Sequence, residues 1–164
     1  MNAVVVYDTQ FGNTEQIARA IASRLETDGI VRLLAVADAN GINLTGVDLL
    51  VVGGPTQGHS ARPVLLQWVK ELSPEMLHGM AVATFDTRVH WPMLLSGSAA
   101  NTLAKSMRQY GAQFVVSPES FFVTGRKGPL APGELEHASE WAGTLAMRHR
   151  SMMTTLNPIH STPV

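Results

Sequence analysis

Three polar stretches of this 164-residue chain carry residue types whose spacing could do chemistry. The first, Asp8-Thr9-Gln10-Phe11-Gly12-Asn13-Thr14, crowds hydroxyl, amide and glycine residues between an apolar run and a helical pattern. A strand-to-helix turn of that composition aims unpaired backbone N–H groups and the positive end of a helix dipole at one point, which suits a phosphate. The same residues allow a plainer role, with Asn13 or Thr14 as a helix N-cap and Gly12 as a chain turn. Neither a G-x-G-x-x-G pattern nor a P-loop lysine is present. The second stretch runs from Gly53-Gly54-Pro55-Thr56-Gln57-Gly58-His59 to Pro63, and the third occupies residues 86–100, beginning Asp86-Thr87-Arg88-Val89-His90-Trp91.

The elements that must position these stretches can be read from periodicity. The short apolar, β-branched run at residues 3–7 predicts a strand buried on both faces, and the runs at 31–36, 49–52, 81–85 and 114–116, the last resuming at 121–123 after a Ser-Pro-Glu-Ser break, predict further strands. Apolar stripes at helical spacing predict helices over 14–27, 63–72, 99–110 and 133–147, with Trp68 and Trp141 on core-facing stripes; residues 37–47 predict a loop or short helix. This alternation implies an α/β fold of three layers, a doubly wound five-stranded parallel sheet with right-handed crossovers and strand order 2-1-3-4-5. In such a sheet ligands bind at the carboxyl ends of the strands, where the order reverses, and the three polar stretches follow strands one, three and four. Loops this long at a functional edge are more often binding loops than spacers.

Composition narrows the options. With 45% apolar and 15% charged residues the chain suits a single domain, expected over residues 1–147, followed by a mobile extension at 148–164 that lacks a periodic stripe. No run approaches a membrane span, no signal-peptide layout opens the chain, and a cytoplasmic protein is expected. Without cysteine there is no disulfide, thiolate metal site or thiol nucleophile, so any redox chemistry must come from a bound cofactor. A formal net charge of -1 recommends neither nucleic acid nor an anionic membrane as partner.

With its loops placed, the sequence resembles the flavodoxin-like family over about residues 2–147. Members of that family bind flavin mononucleotide (FMN) with a first loop T/S-x-T/S-G-x-T, here Thr9-Gln10-Phe11-Gly12-Asn13-Thr14, and a second loop opening G-x-P-T-x-G, here Gly53 to Gly58. A third loop precedes a helix with small residues, here Asp86 onward to Ser96-Gly97-Ser98-Ala99, and residues 132–145 resemble the family's last helix. The resemblance implies that Thr9, Gln10, Gly12, Asn13 and Thr14 enclose the flavin phosphate. Phe11 replaces a usual hydroxyl, as in quinone-reductase and flavodiiron relatives. Pro55, Thr56, Gln57 and Gly58 would run along the ring edge, Gly58 either turning its backbone toward the flavin N5 or serving as an ordinary turn glycine. His59 is a proton donor, a quinone contact or a solvated loop residue.

The third loop departs from the family, which places an aromatic and acidic residues beside the ring. Around Asp86 and Thr87, Arg88 would stabilise a reduced flavin or bind an anionic substrate, or else pair with Asp86 on the surface. Trp91 would cover the flavin face, or else plug the core beneath the loop. The near-neutral charge differs from the strong acidity of typical carriers. The resemblance therefore implies an FMN-binding redox protein that passes electrons to a partner protein or to a small acceptor such as a quinone. The alternatives are an NAD(P)H:quinone-type flavin reductase and a cofactor-less interaction module, with oligomeric state open and no metal expected.

Overall fold

The computed structural model describes residues 1–156. Strand β1 (Asn2–Tyr7) has five of its six residues buried, as an uninterrupted β-branched run requires when helices cover both faces of a sheet. Helix α1 (Asn13–Glu26) returns antiparallel to it, and β2 (Ile30–Ala35) pairs parallel with β1, Val5 opposite Leu33. A 3-10 turn at Val36–Asp38 opens the segment expected to be a loop or short helix. Strand β3 (Leu49–Gln57) lies on the other side of β1, and folds back through the two-residue strand β4 (Ser60–Ala61). Helices α2 (Pro63–Glu71) and α3 (Pro74–Leu77) lead to β5 (Ala81–Val89), parallel to β3. A single helical turn, α4 (Met93–Ser96), then precedes α5 (Ala99–Gln109). Strands β6 (Gln113–Phe114) and β7 (Glu119–Val123) both pair parallel with β5, so the break at residues 115–118 divides one edge position between two short strands. Helix α6 (Glu134–Leu156) closes the described chain.

The sheet order β2-β1-β3-β5-β6 is the expected doubly wound order with the fifth position split. Ile17, Ile21 and Leu25 of α1 and Ala138, Trp141 and Leu145 of α6 form the core on one face, against Val5, Val51 and Phe85. Leu65, Trp68 and Val69 of α2 and Leu103 and Met107 of α5 form it on the other, against Val4, Val52 and Val82. Trp68 and Trp141 are thus core residues, and the Trp68 indole N–H donates to the Ala39 carbonyl at 3.0 Å.

Two expectations are corrected. The last helix does not stop at Met147, and residues 148–156 are not a loose extension: they continue α6. His149 is buried there, its Nε2 3.1 Å from the Asp48 carbonyl, and Arg150 bonds to Asp28. Polar contacts hold this end together with a single half-buried residue, Met152, packed against the core, so no apolar stripe advertises it. The remainder of the expected extension, residues 157–164, lies outside the described residues. The third stretch does not begin as a loop either. Strand β5 runs to Val89 because β7 offers it a parallel partner from Phe85 opposite Glu119 to Val89 opposite Val123, so Asp86, Thr87 and Arg88 are buried strand residues.

Candidate functional site

Since β1, β3, β5 and β7 are parallel, their carboxyl ends share one edge, and the segments leaving them enclose a cleft of about 900 Å³. Thr9, Gln10, Phe11, Asn13 and Thr14 form one wall and Pro55, Thr56, Gln57 and Gly58 another; Thr87, Arg88 and Trp91 line the third. The fourth wall, from Phe122 through Thr124, Gly125 and Arg126 to Ala131 and Glu134, was not among the expected site residues. Its signal is present in the sequence: Thr124-Gly125-Arg126-Lys127-Gly128-Pro129, a glycine and basic turn, leaves the last strand at the same edge.

In the first wall the helix start has no side-chain cap, and the Asn13 and Thr14 side chains are committed to other walls. The N-cap of α1 is Gly12, at φ 80, and no side chain caps the helix, which removes the capping role considered for Asn13 and Thr14. The N–H groups of Asn13, Thr14 and Glu15 have no acceptor within the helix, whereas that of Gly12 donates to Thr9 Oγ1 at 3.0 Å. A left-handed φ suits glycine, and a Cβ at Gly12 would meet nothing within 4 Å, so the space in front of the helix is open. Asn13 instead donates through Nδ2 to the Lys127 carbonyl at 3.1 Å, tying the first wall to the fourth. The Thr14 and Thr87 hydroxyls share a buried hydrogen bond at 2.7 Å, tying the first wall to the third. Gln10 and Gln57 bond to each other across the cleft mouth, and Phe11 is exposed with the Lys127 ammonium 6.0 Å from its ring centre.

Beneath this wall the Asp8 carboxyl is buried, with Oδ1 accepting from Arg62 Nη1 at 3.0 Å and Oδ2 unpartnered. Burial pushes its pKa above the ordinary 3.8, against the opposing pull of the Arg62 guanidinium and the Thr9 N–H. Neither Asp8 nor Arg62 was expected at the site.

The second wall is a hairpin rather than a loop. Gln57 faces Ser60 across a two-residue turn in which Gly58 and His59 both have positive φ, 54 and 71, the sign pattern of a type I′ turn. Gly58 therefore serves as a turn glycine here, and His59 holds a conformation that side chains other than glycine rarely adopt. Thr56 faces inward to Asp86 at 3.0 Å and accepts from the Ala99 N–H at 2.8 Å.

In the third wall Asp86 does not reach the cleft. It is fully buried, and its Oδ2 accepts from Thr56 Oγ1, Ser98 Oγ at 2.6 Å and the Ala100 N–H at 3.0 Å, locking β3, β5 and the start of α5 together. Arg88 is buried rather than a surface residue; its nearest approach to Asp86 is 4.0 Å. Its Nε donates to Ser120 Oγ at 3.1 Å and its Nη1 to the Trp91 carbonyl and Ser96 Oγ, both at 2.8 Å, so one guanidinium staples the segment 91–96 to β7. Its Nη2 has no partner among the described residues and is not shut off from solvent, which leaves one cationic donor edge for the cleft. Trp91 is 62% exposed, so it is not a core plug, and His90 stacks on Phe122 with ring centres 4.3 Å apart.

The comparisons with known proteins meet this geometry. Residues 4–118 match the family model described as flavodoxin domain, a span that includes all three expected walls. The chain belongs to the flavodoxin domain family. Among solved structures it is similar to a flavodoxin from the domain Archaea (20% identity, TM-score 0.74, 92% of this chain and 99% of that one). It is similar to flavodoxin 1 of Bacillus cereus (19%, TM-score 0.73, 90% and 98%). It is also similar to rubredoxin oxygen:oxidoreductase of Desulfovibrio gigas (16%, TM-score 0.75), covering 93% of this chain but only 37% of that larger one. No curated protein matches the chain. At these identities the likeness establishes the flavodoxin fold. Among the described residues no helix is long and apolar enough to cross a membrane, and no cluster of side chains could hold a metal ion.

Proposed function

We propose that this flavodoxin-domain protein binds FMN in the cleft and mediates electron transfer through it. One observation carries the reading: a 14-residue helix with no side-chain cap starts at the cleft, where Asn13 and Thr14 are lining residues and a Cβ on Gly12 would meet open space. Such a helix start favours a phosphate dianion without a lysine. The donor set fits the remainder of the cofactor as well. Thr9 and Gln10 would flank the phosphate, Pro55 to Gly58 would follow the ring edge, and Trp91 would cover one face with its exposed indole. The free Nη2 of Arg88 suits an electron-rich oxygen, and a cation there favours the anionic reduced state. When bound, the flavin would supply the redox chemistry that a chain without cysteine cannot perform itself. The protein's part is then to hold the phosphate, orient the ring and set its electrostatics.

The test is titration of the purified chain with FMN, followed by visible absorbance and flavin fluorescence. Saturable binding that quenches or shifts the flavin signal is expected. A folded chain that leaves the flavin spectrum unchanged would reject the reading and favour a cofactor-less interaction module. A second reading, reduction of a small acceptor such as a quinone, draws on the stack of exposed His90 on half-buried Phe122 in the cleft lining. It predicts NAD(P)H oxidation by the loaded protein with a soluble quinone, above the rate of free FMN.

A further inference from the structure

Beside Trp91, which the bound flavin would use, the chain exposes more apolar surface than a small cofactor explains. Trp91, Met93, Leu94 and Leu95 are 62%, 49%, 94% and 63% exposed, four large apolar side chains within five residues. The helical turn α4 carries three of them outward, while Arg88 pins its two ends through the Trp91 carbonyl and Ser96 Oγ. Large exposed apolar patches rimmed by polar residues mark interaction surfaces. Because Leu94 stands almost fully free, the patch is convex, which suits the face of another macromolecule and not a small ligand.

The rim gives the sign of the partner. Of the charged residues lining the cleft, Arg88 and Arg126 are cationic and only Glu134 is acidic; Glu134 is buried, with Oε2 3.4 Å from His137 Nδ1. Lys127 adds an exposed ammonium beside Phe11. The chain as a whole carries a formal -1, so this cationic rim is local and not a reflection of bulk charge. An apolar centre with a cationic rim complements an apolar centre with an acidic rim, the arrangement that steers encounter and fixes orientation. A bilayer surface is the weaker fit. Two exposed cations contribute about 1 kcal/mol each at an anionic surface, and the exposed polar groups of Gln10, Gln57 and His59 at the mouth would lose water without gaining partners.

We propose that the Trp91–Leu95 face, with Arg126 and Lys127, is the docking surface for an acidic electron-transfer protein, whose redox centre is thereby brought to the cleft mouth. The inference deepens the redox reading and rests on it. In each productive encounter one electron leaves the partner's reduced centre, which is oxidised, and enters the flavin-loaded protein, which is reduced by one.

The test uses an acidic plant-type [2Fe–2S] ferredoxin as probe, with isothermal calorimetry of both the apo and the FMN-loaded chain at low ionic strength. Binding by both forms is expected, weakening as salt is added. Leu94→Ser, which does not line the cleft, should weaken it by about tenfold while leaving FMN affinity unchanged, and Lys127→Glu should weaken it by a similar factor. Stopped-flow reduction of the loaded chain by reduced ferredoxin should slow in parallel, and basic cytochrome c should bind less well than ferredoxin. Absence of ferredoxin binding, or binding indifferent to both variants, overturns the proposal even if FMN binds. Absence of FMN binding overturns the redox reading, and calorimetry on the apo chain still reports on the docking face. Co-sedimentation with phosphatidylglycerol–phosphatidylcholine vesicles, lost in Leu94→Ser, combined with no ferredoxin binding, would assign the face to lipid instead.

Discussion

The two segments that face each other across the cleft, residues 9–14 and 86–97, are built on opposite plans. The first turns its side chains away, Asn13 to Lys127 and Thr14 to Thr87, and offers its backbone N–H groups. The second buries its polar groups, with Asp86 accepting three hydrogen bonds and Arg88 donating three, and offers its side chains: an indole, a methionine and two leucines. The difference teaches what each can recognise. Backbone donors at a helix start read charge and little else, so that wall can serve any phosphate. Side chains read shape and polarity, so specificity for a partner belongs to the second segment.

The largest effect that would break this comparison is expected at Arg88, which is buried and holds its segment by three bonds. Arg88→Met should cost about 3 kcal/mol, because Ser120 and the Trp91 carbonyl lose their donor and the nearby Asp86 carboxylate loses a neighbouring cation. Arg88→Lys keeps the charge but not the fork and should recover only part of that loss. Urea unfolding measures both, and an Arg88→Met loss below about 1 kcal/mol would mean the segment is held by its own packing.

Gly12 sharpens the first wall. Since φ is 80 and the space around its Cβ is empty, Gly12→Val should cost about 1–2 kcal/mol in backbone strain alone. It should also lower FMN affinity by more than about tenfold, through a side chain placed beside the open N–H groups. A variant that binds FMN as tightly as the parent would show that the phosphate sits elsewhere.

A smaller effect, seen only with pH, comes from Asp8 under the same wall. Burial raises its carboxyl above the ordinary 3.8, so the folded chain holds this proton more tightly than the unfolded chain does. As pH climbs from below 3.8 through the raised value, the folded state is the one binding the extra proton, and stability falls. Asp8→Asn lacks that slope, so its stability relative to the parent should grow as pH rises through this window. Parallel urea-derived profiles for the two proteins would refute the assignment.

The same contrast decides what was legible beforehand. The buried runs and amphipathic stripes located the central strands and four helices, since apolar periodicity is what core burial writes into a sequence. The first wall was legible because backbone chemistry needs glycine and small polar residues, and these mark themselves. Strand β5 beyond Phe85 was not, because Asp-Thr-Arg reads as loop. It is strand because β3, as far as Pro55, and β7, as far as Val123, supply distant partners, and no local pattern encodes that. Asp86 and Asn13 have the residue types of ligand contacts and turned out to be internal ties, a distinction set by side-chain direction. The fourth wall was overlooked since its loop follows the last strand, beyond the three strand ends where ligands were sought.

Trp91 carries the smallest expected change in stability and the most direct test of the second segment's plan. The indole is 62% exposed, and the two hydrogen bonds that place this residue, from its N–H to the Val89 carbonyl and from Arg88 Nη1 to its own carbonyl, are made by backbone atoms that any residue retains. Trp91→Ala should therefore move unfolding by no more than about 0.5 kcal/mol, as is usual for exposed positions. Buried Trp68, whose ring also donates to the Ala39 carbonyl, should cost about 3–5 kcal/mol on the same change. If Trp91→Ala instead unfolds the protein as Trp68→Ala does, the indole is closing the loop and is not free to face a ligand. If stability holds while the fluorescence and absorbance of bound FMN change, the indole lies against the ring.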